Sequence, residues 1–346
     1  MTNPKEYGVF LPVANGGWIV SKATPPLDGG WEQNRDAALI AEEQGFDFVM
    51  AMGKWRGFGG ETGHWGHSLE AVTMMAAIAA LTKRVKVWAT LHAILHNPAV
   101  AAKMIATLDH VSGGRAGLNI VAGAYRGEFE QMDAWDASLD HDARYDLTEE
   151  WTKIIKRLWR EPSVTFEGKY FTFRDCVSEP KPLKQPFLIC AGMSARGFDF
   201  SVREADGCFI GGRNAAETAA ASRRAKVLAA DLGKTIRTYC MMTVITAPTD
   251  GEAETRAKKY RDGLDEGAVA GMLESYGAQG NAMTARAQGA FMTQTAIGSP
   301  HSCARQIETF LRDCDLDGLM FIYDDYPAGL RVTGQEILPY LRSVFP

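Results

Sequence analysis

The chain reads as an α/β protein folded as a closed (β/α)8 barrel. Three observations predict it. Eight short β-type runs alternate with helical patterns along nearly all of the 346 residues. Such alternation implies parallel strands joined by right-handed crossovers, and eight units over this length suit a closed barrel. The first run leads into Leu11-Pro12-Val13-Ala14-Asn15-Gly16-Gly17, which lacks the Gly-x-Gly-x-x-Gly turn usual in a doubly wound open sheet.

The strand runs are 7–13, 46–52, 85–91, 116–122, 186–192, 207–211, 238–246 and 319–323. Helical periodicity is clearest over 33–44, 69–83, 99–111 and 144–159, and 300–312 reads as the last long helix before the eighth strand. Asn97 before Pro98 caps the third helix, and Ser299 before Pro300 caps the last. Two segments break the rhythm. Residues 161–184 read as a small hairpin followed by a proline-rich connection. Residues 251–298 are charged, then Gly-, Ala- and Met-rich, and too long for an ordinary crossover. Within them 274–294 is either a mobile lid over the barrel mouth or a helical insertion packed on the wall. Residues 1–346 otherwise read as one barrel domain.

Hydrophobic residues make up 46% of the chain, enough for a large core, and the net charge is −5 with both signs interspersed. No basic block points to nucleic acid or an anionic membrane, and no apolar run reaches membrane-spanning length. The N-terminus lacks the charged-then-apolar pattern of an export signal, so the expected location is cytoplasmic. Cys176, Cys190, Cys208, Cys240, Cys303 and Cys314 are scattered, with no CxxC pair, as expected of reduced thiols.

In such a barrel function sits at the carboxyl ends of the strands. Those ends offer Asn15, Gly16, Gly17, Trp18, Met52, Gly53, Lys54, Thr90, His92, Asn119, Gly123, Met193, Ser194, Gly211, Gly212, Asp324 and Asp325. Glycine and uncharged hydrogen-bonding groups dominate, which suits a large planar cofactor that carries its own chemistry. Asn119 lies inside an apolar run and needs a partner or a ligand; a glycine-rich loop with Tyr125, Arg126, Glu128 and Glu130 follows. Ser194 opens a helix, either as an ordinary cap or as part of a phosphate site, and Arg144-Tyr145 begins another that would reach the same anion. The pairs His64/His67 and His92/His96 have no further ligand at a standard spacing, so no metal is expected; His92 and His96 suit substrate contact or helix capping. Asp324-Asp325 read as solvated loop acids or as an acid–base pair.

Taken together, GVFLPVANGGWIVS (8–21), FDFVMAMGKWRGFGG (46–60), the AT of VKVWAT (85–90), ATLDHVSGGRAGLNIVAG (106–123), EFEQM (128–132), ARYDLTEEW (143–151), ICAGMSARGFDFS (189–201) and LMFIYDD (319–325) resemble the bacterial luciferase-like flavin monooxygenases. Within them the likeness is to the pyrimidine (uracil) monooxygenases of the Rut pathway. The resemblance implies a two-component enzyme that inserts one oxygen atom from O2 into a small substrate, an amide or N-heterocycle, by way of a flavin peroxide. It implies FMN contacts from Gly53, Lys54, Asn119, Glu128, Arg144, Tyr145 and Ser194. It also implies an oxygen pocket shaped by Thr90, Asn119, Phe209 and Met50, the last standing where the uracil enzymes carry Leu. LHAILHNP (91–98) replaces a Thr-rich, double-proline segment, and AGAYRGEFEQ (122–131) replaces TGWQKPEYEQ. The resemblance therefore carries the cofactor class and leaves the substrate open, with His92, His96 and Tyr125 as substrate contacts. No nicotinamide-binding module is visible, so FMN is expected to arrive reduced from a separate NAD(P)H:flavin reductase. A homodimer or homotetramer is expected from the same resemblance. The rival readings are an F420-dependent hydride-transfer enzyme on the same barrel and a flavin-binding protein without catalysis.

Overall fold

The computed structural model describes residues 4–276 and 282–346. The elements run β1 (Glu6–Phe10), α1 (Trp31–Glu43), β2 (Phe48–Met50), α2 (Ala71–Leu81), β3 (Lys86–His92), α3 (Pro98–Ser112), β4 (Ala116–Val121), α4 (Arg126–Glu130) and α5 (His141–Leu158). Then come β5 (Val164–Glu167), β6 (Thr172–Cys176), β7 (Phe187–Cys190), α6 (Ala195–Glu204), β8 (Gly207–Phe209), α7 (Ala215–Asp231) and β9 (Arg237–Thr246). The chain finishes with α8 (Asp250–Asp262), α9 (Glu266–Tyr276), α10 (Ala282–Ala287), β10 (Gln294–Gly298), α11 (Pro300–Cys314), β11 (Gly318–Tyr323), α12 (Tyr326–Val332), a π-helical turn at Thr333–Ile337, and α13 (Leu338–Val344). No helix among the described residues is long and apolar enough to cross a membrane.

Strands β1, β2, β3, β4, β7, β8, β9 and β11 pair in parallel, and β11 returns to β1, closing the eight-stranded barrel. β5 and β6 form the expected antiparallel hairpin outside it. Side chains alternate between the lumen and the helical shell. One inward layer takes Gly8, Phe48, Trp88, Gly117, Phe187, Gly207, Tyr239 and Gly318, one from each strand. Phe48 stacks on Trp88 at 3.9 Å and Trp88 on Phe187 at 5.1 Å, while Tyr239 meets Trp88 edge-on at 5.8 Å. The glycines make room for these rings. A Cβ on Gly8 would lie 2.2 Å from Phe48, and one on Gly117 would lie 2.3 Å from Trp88. Large and small residues thus interlock into a solid floor. The layer above, two residues further along each strand, holds Met50, Thr90, Asn119 and Phe209.

Caps fix the helices where the sequence marks them. Asn97 accepts a bond from the Ala99 N–H at 2.9 Å, and Ser299 accepts one from the Ser302 N–H. Helix α5 starts earlier than periodicity indicated, because Asp140 caps it by accepting from the Ala143 N–H at 2.8 Å. Arg144 and Tyr145 therefore lie within the helix rather than at its start. The loop expected after β4 contains a short helix, α4, which buries Glu128 and Phe129. Asp324 is also not a solvated loop acid: it is 4% exposed, accepts from the Tyr260 hydroxyl at 2.7 Å and lies 3.6 Å from Arg256 Nη1. Asp325 caps α12.

The 251–298 segment contains α8, α9, α10 and a strand, β10, that the sequence did not reveal. Residues 277–281 of the anticipated lid lie outside the described residues. β9 is long enough to serve two neighbours on one side: its 237–239 stretch pairs with β8, and its 242–246 stretch pairs with β10. Arg286 spans the resulting seam, donating to the carbonyls of Gly212 and Arg213 at 3.0 and 2.7 Å.

Helix α9 lies on the turn after β2. Asp265, 1% exposed, accepts from the N–H groups of Glu61, Thr62 and Ala268 and from the Thr62 hydroxyl, at 2.7–3.2 Å. A Cβ on Gly271 would stand 2.0 Å from the Phe58 carbonyl oxygen, so only glycine permits this approach. Burial alone would raise the Asp265 pKa, but the bonds from Thr62, Ala268 and Glu61 outweigh it and leave it lowered. Its stabilisation is therefore present above the unfolded carboxyl value and is lost as pH falls through the depressed folded value. Asp265→Ala strands these donors and is expected to cost about 2–3 kcal/mol. Hydrogen exchange should accelerate at 60–62 and 266–270 far more than in β3 or β4; uniform acceleration would contradict this local role.

Candidate active site

The register of the β3–β4 pair sets Thr90 directly beside Asn119. The Asn119 Nδ2 group donates to Thr90 Oγ1 at 3.1 Å, and the Thr90 hydroxyl donates to the Ala51 carbonyl at 2.7 Å. The Thr90 proton is thus committed to the barrel wall. Asn119 Oδ1 is enclosed and has no partner among the described residues. A buried carbonyl without a donor is costly, and its free lone pairs mark a place for a ligand N–H. Met50 and Phe209, both buried, complete this layer on β2 and β8.

Above β2 the chain places a buried ion pair. Lys54 Nζ lies 3.2 Å from Glu128 Oε2, and both side chains are 5% exposed. Three rings surround the ammonium: Phe58 at 4.5 Å, Tyr125 at 4.9 Å and Trp65 at 5.8 Å. Trp18 extends the aromatic wall from Trp65, and Tyr276 at the end of α9 extends it from Phe58. Burial lowers the Lys54 pKa against the opposing pull of Glu128. Glu128 Oε1 also accepts from the Trp55 N–H at 2.5 Å, and the Gln131 side chain donates to the Trp55 carbonyl at 2.8 Å.

Past β7, Ser194 caps α6 by accepting from the Gly197 N–H at 3.1 Å. The Tyr145 phenol stands against the same turn, beside Gly197, and burial raises its pKa. A Cβ on Gly197 would stand 2.5 Å from the Tyr145 oxygen, so the glycine admits this contact. The N–H groups of Ala195 and Arg196 have no acceptor among the described residues and sit at the positive end of the helix. Ser194 and Met193 are exposed, and nothing lies within 4 Å of the Cβ position of Gly211. An open rim, a helix terminus with free donors and an orphaned amide oxygen fit a flavin with a ribityl phosphate.

Not every anticipated residue joins this arrangement. The Arg144 guanidinium donates to the carbonyls of Gly123 and Leu139 at 3.1 and 2.9 Å and stacks on Trp135 at 4.6 Å. It buttresses the 123–139 segment, while the Tyr145 phenol stands beside Gly197 in the turn that Ser194 caps. Arg196 is held by Asp146 and Glu149. His92 lies at the mouth against Gly53, whose Cβ would come 2.9 Å from the imidazole. His96 bonds the His92 carbonyl and turns with Trp135 and Arg144 into a separate cavity of about 330 Å3. His64 packs against Trp65 and His67 bonds the Asp28 carbonyl. No group of three or more metal-ligating side chains gathers among the described residues. The aromatic wall of Phe58, Trp65 and Tyr276 was not anticipated; the aromatic-rich 55–65 loop was its only sequence signal.

Glu128→Gln leaves the Lys54 ammonium buried without its counter-charge and is expected to destabilise the protein by about 3 kcal/mol. Adding Lys54→Met should restore most of that loss. Additive losses in denaturant unfolding would show that the two side chains do not act as a pair.

The family model for luciferase-like monooxygenases matches residues 5–314. The chain is 35% identical over 350 residues to pyrimidine monooxygenase RutA of Caulobacter vibrioides (strain NA1000 / CB15N), covering 98% of this chain and 99% of that one. It is 35% identical over 349 residues to the RutA protein of Cronobacter turicensis, covering 97% and 92%. Among solved structures, riboflavin lyase RcaE superposes with a TM-score of 0.87 at 21% identity, covering 99% of this chain and 92% of that one. Long-chain alkane monooxygenase LadA superposes at 0.85 with 17% identity and the same coverage. A barrel closed over an aromatic floor, a family match across most of its length and full-length relatives together place this chain in the luciferase-like monooxygenase family.

Proposed function

We propose that the protein is the oxygenating component of a two-component monooxygenase that uses reduced FMN and O2 on a small planar substrate, an amide or N-heterocycle. The observation that carries this reading is the enclosed, unpartnered Asn119 Oδ1 beside Thr90, one layer above the floor. When bound, reduced FMN supplies the electron pair that activates O2. The 35% identity to proteins named pyrimidine monooxygenase supports the substrate class.

The residues divide the work. Ser194, Tyr145 and the free N–H groups opening α6 bind the phosphate. Asn119 Oδ1 accepts from the ring system. Thr90 holds the Asn119 amide in place, through one hydrogen bond received and one given to Ala51. Met50 and Phe209 keep water from the space beside Thr90, and the Phe58–Trp65–Tyr276 wall screens it from above. Tyr276 at the end of α9 stands against Phe58, so α9 forms part of that screen. The Lys54–Glu128 pair fixes the 53–55 backbone on which that wall stands.

Oxygen consumption by the protein with chemically reduced FMN should be coupled to substrate oxygenation. Hydride transfer with F420, or flavin carriage without catalysis, would leave oxygen uptake uncoupled to product. The protein mixed with oxidised FMN and NADH alone should turn over negligibly until a flavin reductase is added. Thr90→Ala releases the Asn119 amide that it holds and should weaken FMN binding modestly while lowering product formed per O2 by roughly tenfold, about the worth of the lost Asn119–Thr90 hydrogen bond. Full coupling in that variant would remove Thr90 from the oxygen pocket.

A further inference from the structure

His92 is set apart from every other histidine near the mouth by how its two ring nitrogens are used. Nδ1 lies 3.4 Å from the Trp55 indole Nε1. An indole nitrogen only donates, so Nδ1 is the acceptor and the imidazole proton sits on Nε2. The side chain is 4% exposed, and Nε2 has no partner among the described residues. His92 follows Thr90 by two positions on β3, so both side chains fall on the same face of the strand. The ring is wedged between Gly53 and the edge-on ring of Phe129, which fixes its plane. Burial, with smaller contributions from His96 and Lys54, pushes its pKa down to about 3.

We propose that His92 is the specificity-determining donor of this site: its Nε2–H, fixed by Trp55, donates to a carbonyl oxygen or unprotonated ring nitrogen of a neutral planar substrate. This deepens, and rests on, the monooxygenase reading given above. A substrate presenting its own N–H at that position would meet a second donor and be rejected. Trp55 is a positioning residue that acts only through His92. Its backbone is held on both sides, by Glu128 and Gln131, so the loop after β2 and helix α4 jointly set the histidine's proton.

The tautomer can be read without turnover. In protein labelled with 15N-histidine and loaded with FMN, the ring nitrogens of His92 should show an unprotonated Nδ1 and a protonated Nε2. Trp55→Phe should convert this to a mixture of tautomers. Binding is then measured with uracil and with 2-pyridone as probes. His92→Phe should weaken both by about tenfold, the worth of one hydrogen bond, while His92→Gln, which keeps an N–H near the Nε2 position, should remain within about threefold of the original protein. A proton on Nδ1, equal probe affinity in His92→Phe, or no binding of either probe to the unaltered protein would each overturn the assignment. Coupled oxygen uptake with reduced FMN tests the monooxygenase reading separately, so the two can fail independently.

Discussion

The interlocked floor of four aromatic rings and four glycines is the constraint from which the rest of the molecule follows. Phe48, Trp88, Phe187 and Tyr239 fill the lumen from wall to wall, and the glycines on the intervening strands let them meet. A ligand is thereby confined to the space above. The first layer over the floor becomes its base, and that layer carries Thr90 and the unpaired oxygen of Asn119. A polar pair so deep in an apolar barrel is tolerable only because register sets the two side chains edge to edge and the wall carbonyl of Ala51 takes the remaining proton.

Much of this was legible along the chain. Alternating runs gave eight barrel strands, and Asn97 and Ser299 marked helix starts that the structure keeps. Asn119 stood out as a polar residue within an apolar run. The resemblance set Thr90 in the same pocket, but the hydrogen bond between the two was not legible, because which residue of β3 faces Asn119 depends on strand register, a property of the folded sheet. The same limit hid the aromatic wall: Phe58, Trp65, Tyr125 and Tyr276 converge from three separate segments. β10 escaped notice because Gln294–Gly298 is short, only partly buried and follows a Gly-, Ala- and Met-rich stretch with little strand character. A related limit applies to Arg144: the sequence does not show that the carbonyls of Gly123 and Leu139 and the face of Trp135 hold its guanidinium.

The mouth is assembled from elements that hold one another. Glu128 secures both Lys54 and the Trp55 backbone, Gln131 secures Trp55 from the other side, and Asp265 ties the 61–62 turn to α9. The loops after β2 and β4 and the start of α9 therefore form one connected rim rather than three independent flaps. Such a rim suits chemistry in which stray water is the competing reactant.

The division of β9 between two neighbours has a consequence for how this architecture diversifies. Below, its partner is β8 and the interlocked rings fill the lumen; above, its partner is β10, and the Arg286 and Gln294 side chains bridge the gap to Gly212 and Arg213. Extra residues inserted on either side of that bridge would widen the chamber without disturbing its base. The seam is thus where the wall can lengthen while the base beneath keeps its packing.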